Sequence, residues 1–135
     1  MTTHTRTLTI ATMVAFAAIG FATLAQTQDS PFRKEIKRAD LTGTNMEVIE
    51  SIVEIPPGQA SVLHIHHGEE AFYVIEGGKV ELPNGKQLDM VSGSGAINKR
   101  DVPHGALKNV GDKPIKLLTV HVVDKGSVLY DTPPK

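Results

Sequence analysis

The sequence predicts an all-β domain, a sandwich or closed barrel, from three observations. Turn signals recur about every 8–12 residues from Met46 onward. Between them lie short runs rich in valine and isoleucine, which favour strands. No segment after position 30 carries the apolar period of an amphipathic helix. The 135 residues accommodate one domain, and 12 glycines and 8 prolines supply its turns.

Composition excludes several functions. A formal charge of −1 provides no basic field for nucleic acid. Apolar residues are 40% and charged residues 21%, a balance that folds rather than stays disordered. The absence of cysteine rules out a disulfide framework, a thiolate metal site, an iron–sulfur cluster, a cysteine nucleophile and a lipidated N-terminal cysteine.

Taken in order, residues 1–25 form the expected secretory signal. A polar start with Arg6 precedes the charge-free run Leu8–Ala25, and polarity returns at Gln26-Thr27-Gln28-Asp29. Cleavage is expected after Ala25, with Ala22 as the alternative. The run also reaches the lower length limit of a spanning helix, about 17 residues. Its threonines and alanines favour cleavage, which gives a periplasmic or secreted product with no stable membrane anchor. Residues 26–45 are expected to be an exposed N-terminal arm. In that arm the basic run Arg33–Arg38 suits a solvated strand edge rather than a binding patch.

The strand pattern then begins. Met46–Ile55 alternates and stops at Pro56-Pro57-Gly58. Ser61–His66 and Glu70–Glu76 follow, the latter halted by Gly77-Gly78. Lys79–Leu82 is closed by the hairpin turn Pro83-Asn84-Gly85. Gln87–Val91, Ala96–Asn98 and Gly105–Val110 are further short runs, and Ile115–Val123 is the longest and most continuous.

Histidine concentrates the chemistry. His64 and His66 stand at i and i+2, on one face of a strand. Glu70 follows across Gly68, where a turn can return it to the pair, and His104 lies farther along after Val102-Pro103. Three imidazoles and a carboxylate suit one borderline divalent metal: iron, manganese, nickel, cobalt or zinc. The competing reading is a set of surface histidines on an edge strand. The apolar Val62 and Ile65 on alternate faces argue against it.

The pattern Gly58-x5-His64-x-His66-x3-Glu70-x6-Gly77 resembles the first motif of the cupin superfamily at every defined position. Gly93-x10-His104 resembles the second motif. Lys99 and Asp101 stand where that motif has proline and glycine, and Asn109 comes one residue later than its asparagine. The resemblance covers roughly residues 46–126 and leaves 127–135 as a C-terminal tail. It implies a small conical β-barrel, the double-stranded β-helix or jelly roll, with metal held inside by His64, His66, Glu70 and His104. The single-domain members it resembles are dioxygenases, isomerases, lyases or proteins with no known reaction. The expectation is therefore a metalloenzyme acting on a small oxygenated molecule. The alternative is a non-catalytic protein that binds metal or a small ligand for sensing or storage.

Parity sorts the neighbours. With Glu70 inward, Phe72 and Val74 form an apolar wall beside it. Tyr73 and Ile75 then lie on the other face, either under the N-terminal arm or in a homodimer interface. His67 is expected on the surface. His121 shares parity with Ile115, Leu117, Thr119 and Val123, and so is expected to point inward. There it is a candidate acid–base catalyst or, alternatively, a core histidine.

Overall fold

The computed structural model describes residues 29–135; the expected signal at 1–25 lies outside them. Eight strands and no helix make up the described residues: β1 (Arg33–Leu41), β2 (Met46–Ile55), β3 (Gly68–Glu76), β4 (Gly78–Glu81), β5 (Gln87–Met90), β6 (Gly95–Asn98), β7 (Lys108–Asn109) and β8 (Ile115–Asp124). All pairing between them is antiparallel. The five-stranded sheet runs β1-β2-β8-β3-β6 and the three-stranded sheet β5-β4-β7. This is the expected double-stranded β-helix architecture, with the ladders forming two sheets rather than one continuous ring.

Alternation in β2 and β8 builds the interior. Ile49, Ser51, Val53 and Ile55 are buried, and their register partners are His121, Thr119, Leu117 and Ile115. Directly opposed residues share a face. The next ladder therefore adds Glu70 beside His121, Phe72 beside Thr119 and Val74 beside Leu117. Asn98 of β6 is the register partner of Glu70. One row, Ile49–His121–Glu70–Asn98, thus crosses four strands on the inner face.

Three segments differ from the sequence reading. Residues 33–41 of the expected arm form β1, a strand paired with β2 along its length, although its side chains are mainly exposed. The Ser61–His66 run forms no ladder strand. It is gripped from two sides by single bridges, His64 with His104 and Ile65 with Asp131. The Gly105–Val110 run reduces to the two-residue β7 because Gly105 and Ala106 take positive φ, 95° and 54°, which ends extended backbone. Buried Asn109 then ties this segment to β2, donating to the Ile55 carbonyl at 2.9 Å.

Candidate metal centre

The structure gathers His64, His66, Glu70 and His104, with one potential ligand atom from each lying within 4.8 Å of the others. His64 and His66 come from the bridged segment before β3, and Glu70 from the inner face of β3. His104 comes from the loop that bridges back to His64. That loop is tightly shaped. Asp101 adopts φ 57°, the left-handed region that aspartate tolerates better than most residues. At Gly105, φ is 95° and a Cβ would lie 2.0 Å from the Val62 carbonyl oxygen, so only glycine fits beside His104.

Backbone carbonyls orient all three imidazoles. His64 Nδ1 donates to Val62 O at 2.8 Å, His104 Nδ1 donates to Val102 O at 2.8 Å, and His66 Nδ1 donates to Leu129 O. A carbonyl only accepts, so each Nδ1 carries a proton and each neutral ring turns a bare Nε2 inward. His64 Nε2 and His66 Nε2 are 3.0 Å apart, and His104 Nε2 is 3.2 Å from Glu70 Oε2. Lone pairs would face lone pairs there. His104 Nε2 is buried with no hydrogen-bond partner. A cation among these atoms removes the repulsion, and three imidazoles with one carboxylate suit a borderline divalent ion. The donor set therefore fits a metal.

Protonation agrees. Burial pushes the His64 imidazole down to about 4, which keeps it neutral near pH 7. Burial also opposes ionisation of Glu70. Contacts with His104 and His66, the nearby His121 ring and the Asn98 amide outweigh it and hold the carboxyl well below the usual range. Asn98 Nδ2 donates to Glu70 Oε2 at 2.7 Å. Burial lowers the basicity of His104 too, but the Glu70 carboxylate overcomes it and raises the imidazole above its ordinary value.

His121 faces inward and is fully buried. Its Nε2 is 3.5 Å from Glu70 Oε1, and its ring meets His66 edge-on with centroids 4.4 Å apart. Neither ring nitrogen has a hydrogen-bond partner, and burial pushes its pKa down to about 4. His121 does not line the cavity beside the cluster; it packs against Glu70 and His66. His67 points away from the cluster, between Asp101 at 2.9 Å and Asp131 at 3.0 Å. Tyr73 and Ile75 lie on the outer face, 51% and 40% exposed.

Two contributors escaped the sequence reading. Asn98 lies in an expected run, and the alternation there held the signal for its inward position. The tail is the larger omission. Tyr130 is buried and its ring lies against His64, with centroids 4.0 Å apart. The adjacent Leu129 carbonyl orients His66. Ile65 and Asp131 exchange backbone hydrogen bonds of 3.0 and 3.1 Å. The segment around Tyr130 is thus a strap across the centre, and its sequence signal was the short apolar triplet Val128-Leu129-Tyr130 between Ser127 and Asp131.

The cluster opens on a cavity of about 360 Å³, lined at this end by His64, Glu70, Asn98, His104 and Tyr130. Apolar side chains, among them Val53, Ile55, Phe72 and Leu117, form most of the remaining wall. Phe72 stands as expected beside Glu70, whereas Val74 is buried in the core outside the cavity.

Comparison with known proteins places this geometry. The profile of the cupin domain matches residues 51–121, and the chain belongs to the cupin family. A Klebsiella pneumoniae protein of uncharacterized function with a double-stranded β-helix domain superposes with a TM-score of 0.51 at 25% identity, over 73% of this chain and 86% of that one. The polyketide cyclase RemF from Streptomyces resistomycificus gives 0.53 at 20% identity, over 78% and 75%. The DMSP lyase DddQ from Ruegeria pomeroyi gives 0.51 at 17% identity, over 68% of this chain and 46% of that one. The last two likenesses speak for the fold alone. No curated protein sequence matches the chain.

Proposed function

We propose that this cupin is an exported metalloenzyme of the dioxygenase, isomerase or lyase type, acting on a small oxygenated molecule. One observation carries the reading. Three carbonyl-oriented imidazoles turn bare Nε2 atoms toward an ionised carboxylate at the end of a cavity. His64, His66, Glu70 and His104 would hold one divalent ion. When bound, that ion would supply Lewis acidity toward a substrate oxygen. The chain's own residues do the rest. Asn98 holds Glu70 ionised and fixed, the three carbonyls fix the imidazole tautomers, and the apolar wall excludes water from the substrate.

The charge-free Leu8–Ala25 run supports export to the periplasm or beyond. Among the described residues, no helix is long and apolar enough to cross a membrane. A homodimer is the proposed assembly. Tyr73, Ile75 and Ile97 leave an apolar outer face on β3 and β6, and β1 lies at the opposite edge of the sheet. The second reading is a non-catalytic metal- or ligand-binding protein. It is favoured by His121 standing out of the cavity, which leaves no buried acid–base histidine facing a substrate.

Metal analysis of protein purified from its native compartment tests the proposal. One equivalent of divalent metal, lost in His104→Ala and kept in His67→Ala, is expected. Equal metal in wild type and His104→Ala would refute it. Turnover of oxygenated substrates by the metal form separates the enzyme from the binding protein.

A further inference from the structure

We propose that the cavity takes a monoanionic oxygen chelator carried on an apolar body, such as an aryl or branched alkyl group. The proposal rests on the metal reading above and goes beyond it by naming the ligand class. The cavity is chemically divided. Its donors sit at one end with His64, Glu70 and His104, while Val53, Ile55, Phe72, Leu107 and Leu117 line the remainder. Ser30, Ser61 and Thr119 add only neutral hydroxyls there, and among the described residues no lysine or arginine lines the cavity.

Charge counting fixes the head group. Glu70 is the one charged carboxylate of the lining, so a divalent ion leaves one positive charge for a ligand to neutralise. A chelating head of charge −1 does this. A further carboxylate on the ligand would lie against aliphatic wall with no cation to pair it, a costly burial. Size fixes the body. An engineered apolar cavity of about 150 Å³ holds benzene. A cavity of about 360 Å³ therefore has room for a ring with its head group. Small dianions such as dicarboxylates would leave most of the apolar wall unfilled.

Three chelators with one head group test this on the cobalt-loaded full-length mature protein: acetohydroxamate, benzohydroxamate and 4-carboxybenzohydroxamate. Calorimetry gives affinity, and the cobalt visible spectrum shows whether the head reaches the metal. Benzohydroxamate should bind at least about tenfold tighter than acetohydroxamate, since the ring adds apolar burial. The 4-carboxy compound should bind at least about tenfold weaker than benzohydroxamate, since its second charge is unpaired. Equal affinity of the first two overturns the apolar body, and tighter binding of the third overturns the single charge. A protein with one cobalt that binds none of the three overturns the cavity as a ligand site while leaving the metal reading intact. A protein that takes up no cobalt fails at the earlier step instead. The wild-type series decides the proposal by itself. Leu107→Lys, at a half-buried wall position, should reverse the order of the two aryl compounds. An unchanged order in a variant that keeps its cobalt would remove this wall from the assignment.

Discussion

On the inner face of β3, β6 and β8 the row Asn98–Glu70–His121 is polar, with Glu70 and His121 nearly sealed from water and Asn98 half-buried. On the outer face of the same strands, Tyr73 and Ile97 are apolar and more than half exposed. Burial alone would sort these residues the other way. The inner polar row persists because each member serves the cluster: Glu70 as donor, Asn98 as its hydrogen-bond partner, and His121 as packing against both Glu70 and His66. The outer apolar row has no partner among the described residues. The difference teaches that one face gathers donors that could hold an ion, and the other leaves apolar side chains uncovered.

The largest expected effect breaks the inner face. Glu70→Gln keeps the shape and removes the charge. Losing an outer hydrogen-bond partner of a metal ligand costs about 10–100-fold in affinity, so losing a ligand charge should exceed about 100-fold. Metal competition titration measures it. Near-wild-type affinity would take Glu70 out of the donor set.

Next, the two faces should respond differently to the same truncation. Ile49→Ala empties a site that is 1% exposed, and should lower stability by about 2–5 kcal/mol in denaturant. Ile97→Ala acts at 60% exposure and should change monomer stability by under about 0.5 kcal/mol. If the outer face pairs two copies, Ile97→Glu should shift sedimentation from dimer to monomer. A wild type that sediments as monomer at micromolar concentration would end the homodimer proposal.

Acid sharpens the comparison further. His64 and His121 have folded pKa values near 4, lowered by burial from 6.5. The unfolded chain therefore takes up protons first as pH falls. In metal-free protein their contribution is whole above about 6.5 and is lost between there and about 4, at up to about 1.4 kcal/mol per pH unit for each group. His121→Gln should flatten that slope by one group's share. It should leave turnover per metal-loaded molecule within a few-fold of wild type, because the side chain lies outside the cavity. A fall of about 10²–10⁴ would instead favour the acid–base candidate of the sequence reading over its core-histidine alternative.

Legibility followed chain distance. The i, i+2 histidines and Glu70 lie on one short stretch, where extended backbone and a bend determine geometry, and His104 was marked by its motif. The inward parity of His121 was readable because β8 is long and unbroken. The role of Tyr130 was not, since a tail that crosses back over the barrel has no periodic pattern until its contacts with Ile65, His64 and His66 are known. Likewise the polar sequence of β1 read as an arm, because an edge strand with mainly exposed side chains buries too little to impose an apolar rhythm.

His66 and its neighbour His67 restate the contrast between faces at a single peptide step, and they carry a small expected effect. His66 is sealed inside, whereas His67 is one-third exposed and spans two carboxylates, Asp131 of the strap and Asp101 of the His104 loop. Its hydrogen bonds to Asp131 and then Asp101 outweigh burial and raise its pKa above 6.5. Only the protonated ring donates from both nitrogens. The stabilisation is therefore complete below about 6.5, the unfolded value, and fades as pH rises through the higher folded value. Solvent screening keeps it under about 1 kcal/mol. Denaturant unfolding of wild type and His67→Gln, followed upward from pH 6, should show the wild-type advantage shrinking to nothing, with metal content equal throughout. Parallel profiles would mean that the strap is held by its backbone bridge to Ile65 and by Tyr130 alone.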